Sequence, residues 1–575
     1  MQHISQSGLL LATPRQRGAA MLFGLQLVLA SSAWCQTLPN AGSLLKELDN
    51  SARPAAGQST PTDSVVTAPE RATIKMPEGL TVKVSGFRVT GASSFSQTEL
   101  LELLKPWVGQ TLDLNALNEA AGAVTRHYQS NGHVLSYAYL PAQKIADGTL
   151  DIAVLEGKLD TVQIVAAQDV RLQDEVVQAH INDLSQAATV SQPDVERRLL
   201  LLNDIPGVVA RGAFTPGTKT GSADMVVSIA EDEPLATQFD FNNHGSVSTG
   251  EYWAGANFHF KDLFGVGDSS RARLVASNSG DMVNASFNTR MPVGGRGWSV
   301  GAGISRLTYA LGGSFASLGG IGEATVLNLN TAYPIIRSYT RNLNFTAGFD
   351  KKKLQDEVQL TAVINPKDSN TGSVGLSFDQ RDTWLGGGSL AASISLSAGQ
   401  LDFGNAAQQA ADQAGLQTGG DFAKLSYDLS RLQAINPAWG LSGRLSGQTA
   451  NKNLDSTEKF SLTGPSAVRA YAPGDTTVDS GQHLALELRH SLPYVGGALQ
   501  WSLFHDHAWG QINTTPLPGV TGNNVSLYGS GIGLQWTGGA DMGVNASLAW
   551  RGSRAPSSGA RDDTPRMYIQ IFKNL

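Results

Sequence analysis

From about Leu235 to the C-terminus the chain alternates apolar and polar residues and shows no helical periodicity. That feature limits the fold more than any other. In Leu235–Asn242, Leu235, Thr237, Phe239 and Phe241 share one face, and Gln238, Asp240 and Asn242 share the other. Leu390–Ala398 sets Leu390, Ala392, Ile394 and Leu396 against Ser393, Ser395 and Ser397. Met542–Trp550 does the same with Met542, Val544, Ala546, Leu548 and Trp550, and Leu499, Trp501 and Leu503 oppose Gln500, Ser502 and Asp506. Such strands fit a soluble sandwich as well as a barrel in lipid. Lipid is favoured because the run is too long for one sandwich. The polar face is Ser, Asn, Gln and Gly, as a wet lumen needs, and Trp501, Trp536 and Trp550 lie on the apolar face, as interfacial girdles require. Strands of about ten residues plus connections give roughly sixteen strands. The 63 glycines suit turns and barrel kinks.

A helical membrane protein needs apolar stretches of about 18 or more residues. One candidate exists, at the N-terminus, and it reads as a signal peptide over residues 1–35. Arg15 and Arg17 precede the apolar run Ala19–Ala30, and the small residues Ser31, Ser32 and Ala33 follow. Cys35 is the only cysteine. Cleavage after Ala33 or after Cys35 fits the pattern, the latter leaving no cysteine, and neither a disulfide framework nor a thiolate metal site is expected. A net charge of −7 argues against nucleic acid as a partner. No phosphate-binding Gly-Lys-Ser/Thr loop and no nucleophile elbow occurs, so neither an enzyme nor a cofactor is expected.

Residues 36–80 hold a short helical stretch, Ala41–Asn50, with Leu44, Leu45 and Leu48 on one face, and then a linker rich in Pro, Ser, Thr and Ala. Residues 81–159 read as strand, helix, helix, strand, strand. Ser96-Gln97-Thr98-Glu99 forms a capping box before the first helix, and Leu114–Ser130 is the second. Strands are expected at Val134–Leu140 and Thr149–Glu156. The same order returns in residues 160–233, with helices at Leu172–Ile181 and Pro193–Leu202 and Ser191 as a cap. Two tandem α+β units thus precede a barrel over residues 234–575, in which no further helix is expected.

The segment Leu454–Glu487, with Val468-Arg469-Ala470-Tyr471 at its centre, closely resembles the signature region of two-partner secretion transporters of the haemolysin secretion/activation type (TpsB proteins). These belong to a wider superfamily of outer-membrane proteins that join periplasmic POTRA domains to a barrel. Tyr139-Leu140-Pro141-Ala142-Gln143 and Leu155-Glu156-Gly157 resemble the first POTRA domain, and Arg197–Gly207 the second. Asn242–Gly250, Asp262–Asp268 and Tyr333–Ser338 also fit. Three departures stand out. Thr463-Gly464 replaces a usual Gly-Gly pair, Phe504-His505-Asp506-His507-Ala508 ends in Ala where Gly is usual, and the chain ends in Leu575 rather than an aromatic.

The resemblance implies an outer-membrane translocator of a large exoprotein that carries an N-terminal secretion domain, with POTRA domains capturing the unfolded chain by strand addition. It also implies that Ala41–Asn50 occupies the pore at rest and that Arg469 pins the long loop to Asp506. Strand parity independently places Asp506 with Gln500 and Ser502 on the lumen face, and Glu487 with Arg489 on the polar face opposite Leu484, Leu486 and Leu488. Phe504, on the same strand as Asp506, completes the expected wall partners. The rivals are a barrel insertase, which usually carries more POTRA units, and a passive porin, which carries none. His505 and His507 read as exposed rim histidines rather than metal ligands, and Lys351-Lys352-Lys353 as the solvated end of a strand.

Overall fold

The computed structural model describes residues 38–51, 66–67, 81–186 apart from 134, 144 and 146, 191–216, 222–494, 497–553, 555 and 563–575. The expected signal peptide, with Cys35, and most of the expected linker lie outside these residues.

The first α+β unit forms because its helices and strands each carry one apolar face. In the strand Thr149–Leu155 burial alternates, so that Leu150, Ile152 and Val154 point to the core. Gly86–Thr90 lies parallel to it on one side and Tyr137–Tyr139 antiparallel on the other. The helices Gln97–Leu104 and Leu114–Ser130 bring Leu100, Leu104, Leu117, Val124 and Tyr128 onto that sheet. Ser96 caps the first by accepting from the Glu99 amide at 3.2 Å. Only half of the capping box is made, because the Glu99 carboxylate turns to His127 instead, at 3.1 Å. The strand expected from Val134 is shorter, starting at Tyr137.

The second unit repeats the plan. Lys158–Ala166 runs parallel to Ser222–Glu231, which pairs antiparallel with Val208–Pro216. The helices Asp174–Gln186 and Gln192–Asn203 cover one face, and Ser191 caps the second. Asn203 ties that helix to the sheet, donating to the Ala210 carbonyl at 2.9 Å and accepting from its amide at 3.0 Å. From the linker, Val66–Thr67 adds as a parallel strand to the outer edge of Val208–Pro216.

Sixteen antiparallel strands, Leu235–Asn242 to Arg566–Asn574, then close into a barrel. The seam between first and last strands spans Gln238↔Asn574 to Asn242↔Gln570. Phe239, Phe241, Ile394, Leu396 and Leu503 point outward and stand about half exposed, whereas Asp240, Asn242 and Asp506 point inward and are buried. A closed sheet with a large apolar outer surface and a polar interior is stable only in lipid. Among the described residues no helix is long and apolar enough to cross a membrane.

Two expectations fail here. A helix does interrupt the barrel sequence, Ala406–Ala414, capped by Asn405 within a connection on the side away from the α+β units. Lys351–Lys353 is not a strand end but lies within Arg341–Val358. Alternation turns Lys352 inward, where it ion-pairs with Glu458, and leaves Lys351 and Lys353 exposed.

The second α+β unit is clasped to the near rim of the barrel. Arg337 forks onto Asp204, with Nε–Oδ2 2.9 Å and Nη2–Oδ1 2.7 Å. Arg197 donates to the Pro334 carbonyl at 2.7 Å, and Glu196 accepts from the Tyr339 amide at 2.7 Å.

A loop lock and a plug inside the barrel

The connection from Trp439–Ala450 to Ser480–Tyr494 does not extend outward but folds back into the lumen. A two-stranded ribbon, Phe460–Ser461 with Thr477–Val478, supports its tip. Gly464 sits at φ +117°, a conformation that side-chain-bearing residues rarely adopt. Thr463, in place of the usual glycine, has its own task, since its Oγ1 accepts from the Thr476 amide at 3.0 Å.

At the tip, Val468, Ala470 and Tyr471 are buried against Phe504, Ala508, Val525, Leu527 and Ala549 of the wall. Ala508, the second departure, is itself part of this contact. Gly529 and Gly531 make the groove, because a Cβ at either would meet the Ala470 Cβ or the Phe504 Cζ at 2.5 Å. Tyr471 anchors the far side, its hydroxyl 2.8 Å from Ser553 Oγ and its carbonyl accepting from the Tyr568 hydroxyl at 2.6 Å.

Arg469 is the polar centre. Its Nε and Nη2 donate to the two Asp506 oxygens at 2.8 Å each, and its Nη1 donates to Glu487 Oε1 at 2.7 Å. Glu487 also accepts from Arg489 Nε at 2.9 Å. The guanidinium carbon lies 3.4 Å from the Phe504 ring centroid. A buried guanidinium is tolerable only when paired, and two carboxylates and an aromatic face meet that need. The structure thus brings Val468, Arg469, Ala470, Tyr471, Phe504, Asp506 and Glu487 into one cluster. His505 and His507 face outward from the middle of their strand rather than from a rim, each bonded to a serine, Ser530 or Ser526. Among the described residues no group of three or more potential metal ligands occurs.

The helix Ala41–Ser51 also lies inside the barrel. Ala41, Leu44 and Leu48 are buried against Trp253, Leu307, Tyr309, Leu311, Ala324 and Leu354. These wall residues went unnoticed in the sequence. Inward apolar residues such as Leu307 and Tyr309 break the polar-lumen pattern, and that break was the available signal. The helix N-terminus is fixed by Asp356, which accepts from the Ala41 amide at 2.8 Å and from the Tyr309 hydroxyl at 2.6 Å. Asn40 caps the helix, accepting from the Ser43 amide at 3.0 Å.

Comparison with known proteins gives this architecture a family. A family model described as haemolysin secretion/activation protein ShlB/FhaC/HecB matches residues 221–536, and one described as POTRA domain, ShlB-type, matches residues 82–157. The chain is 27% identical over 544 residues to the heme/hemopexin transporter protein HuxB of Haemophilus influenzae, covering 93% of this chain and 95% of that protein. It is 23% identical over 433 residues to the outer membrane transporter CdiB of Escherichia coli, covering 73% of this chain and 71% of that one. The solved structure of CdiB from Escherichia coli matches with a TM-score of 0.69 at 19% identity, over 99% of this chain and 100% of that chain, and so shares the fold. The family match spans more than half of the chain, and the chain belongs to the haemolysin secretion/activation family of two-partner secretion transporters, outer-membrane barrels with periplasmic POTRA domains.

Proposed function

We propose that this transporter exports one large exoprotein bearing an N-terminal secretion domain, and that it does so without enzymatic chemistry of its own. The observation that carries the reading is the filled lumen. A closed barrel occupied by a helix and a folded-in loop must be opened on demand, which a passive pore does not require. The partner arrives unfolded, and its extended segments add to exposed POTRA strand edges, where main-chain hydrogen bonds supply affinity. Residues 81–159 and 160–233 act as the two capture domains. One edge of the second domain is already covered by Val66–Thr67, so capture there requires that segment to leave. The chain then passes through the barrel at residues 234–575 and folds outside, which biases movement outward.

In this reading Arg469, Asp506, Glu487 and Phe504 hold the loop in a defined resting position, with Val468, Ala470 and Tyr471 as the packed shoulders of the tip. The relatives, a heme/hemopexin transporter and the outer membrane transporter CdiB, are transporters by name, which supports a transport role.

The test is secretion of the genetically adjacent exoprotein in cells carrying the wild type, Arg469→Ala, a deletion of both POTRA domains, or no transporter. Export should vanish in the last two and fall with Arg469→Ala at equal barrel levels. Export that persists without the POTRA domains would overturn the capture reading.

A further inference from the structure

Before reaching its tip, the long loop passes a charged shoulder at residues 453–459. Asp455 ion-pairs with Lys367 at 2.9 Å, and Lys459 with Asp479 at 2.6 Å. Glu458, almost fully buried, pairs with Lys352 and with Lys424, the latter at 2.7 Å. Both lysines come from the barrel wall. Lys424 Nζ also donates to the Glu458 main-chain carbonyl at 3.0 Å, and Gln448 Nε2 to the same oxygen at 2.9 Å.

The same shoulder touches the plug helix. Ser456 Oγ donates to Asn40 Oδ1 at 2.7 Å. Gly42 approaches so closely that a Cβ there would lie 2.9 Å from the Thr457 amide nitrogen. Lys367 reaches from Asp455 toward Asp356, the residue that holds the helix N-terminus, at 3.9 Å. One turn further along the helix, Lys46 opens onto a cavity of about 330 Å³ that it shares with Lys352, Lys424 and Glu458. Lys46 feels the field of both lysines and of Glu458 and Asp49. Asp49 and Asp350 also line this cavity, Asp350 accepting from Asn328 at 2.6 Å, so three carboxylates face three lysines there, and Glu458 is the one paired with both wall lysines.

We propose that Glu458 is the shared counter-charge that seats the plug: it neutralises the wall lysines Lys352 and Lys424, so that a third cation, Lys46, can be brought against them when the helix enters. Like charges in a cavity of this size repel strongly unless a carboxylate lies between them. The loop and the plug are therefore linked at the shoulder, separately from the tip. Movement of Glu458 away from the wall leaves three lysines against the two remaining carboxylates, Asp49 and Asp350, and the helix, which carries the third cation, can withdraw.

The proposal presupposes only that the helix closes the pore, and conductance reads this whether or not partner export follows. Purified full-length protein in planar lipid bilayers is compared as wild type, Glu458→Gln, Lys46→Met and the double variant. Glu458→Gln should raise open-state occupancy about tenfold, the change that a shift of about 1.4 kcal/mol produces. Adding Lys46→Met to it should restore closure, and Lys46→Met alone should remain closed. A second route leaves the wall and loop intact: Leu45→Lys places a further cation in the same cavity and should also open the channel. If neither Glu458→Gln nor Leu45→Lys opens it, or if Lys46→Met fails to reverse Glu458→Gln, the counter-charge role is wrong. Opening by Glu458→Gln that Lys46→Met does not reverse would belong to the loop alone.

Discussion

Asp506 accepts three hydrogen bonds from Arg469, two from the guanidinium and one from the main-chain nitrogen at 3.1 Å. The residue is therefore fixed at backbone and side chain together. Lysine offers a point charge and no planar fork, so Arg469→Lys should keep the charge and lose the geometry. Asp506→Ala leaves Glu487 as the sole acidic partner, and breaking a buried pair of this kind costs about 3–5 kcal/mol. We expect both variants to release the loop, with Asp506→Ala the more severe. Protease sensitivity of the loop in intact cells checks this. A loop as protected in Asp506→Ala as in the wild type would remove the lock.

Phe504 adds a contribution that carries no charge. Its buried ring lies under the guanidinium, where a desolvated cation–π contact contributes about 2 kcal/mol. Phe504→Leu should weaken docking measurably but less than Asp506→Ala. Gly529→Leu should displace the tip outright, because the groove floor has no room beneath Ala470. Equal protection of the loop in wild type and Gly529→Leu would show that the groove is not what shapes the tip.

The sequence made some of this legible and concealed the rest, for physical reasons. Strand alternation has period two, so Asp506 could be assigned to the lumen from its own neighbours. That it meets Arg469 came from family resemblance, because no local pattern encodes a contact between a loop tip and a distant wall strand. Lys351–Lys353 reads instead as a solvated strand end, because three identical residues mask the parity that turns the middle one inward. Ala406–Ala414 is hard to read because its stripe consists of alanines only, with no large apolar residue and none buried. Parity also turns Leu307, Tyr309 and Leu354 inward, but no local pattern says that the lumen side of these strands packs against the distant helix Ala41–Ser51.

The clasp between Arg337 and Asp204 joins the barrel rim to the second α+β unit. Asp204 is partly exposed, so the pair alone contributes about 0.2–1 kcal/mol after screening. Asp204→Ala should therefore leave export nearly intact. Combined with Arg197→Ala, which removes the bond to the Pro334 carbonyl, it should loosen the domain. Hydrogen exchange of Gln192–Asn203 should then rise in the double variant and hardly change in either single one.

The first POTRA domain carries a carboxylate whose titration can be followed directly. Burial alone would raise the Glu156 carboxyl above its ordinary 4.5. It is outweighed by the Ser93 hydroxyl and amide, the Ser94 amide and the Tyr128 hydroxyl, all of which donate to it, and the group is held at about 2. Bonds from the Ser93 and Ser94 amides measure 2.7 Å each, and that from Tyr128 2.8 Å. A depressed carboxyl stabilises the fold wherever it is ionised in the unfolded chain, so its contribution is complete above about pH 4.5. It declines as pH falls toward 2, where the folded state must also take up the proton. Protection factors of Leu114–Ser130 in the full chain, each taken against the intrinsic amide exchange rate at that pH, should accordingly fall between these limits. Glu156→Gln should exchange faster than wild type at neutral pH and lose most of that pH dependence. Wild-type protection factors that stay constant across this window would show that Glu156 does not hold the helix to the sheet.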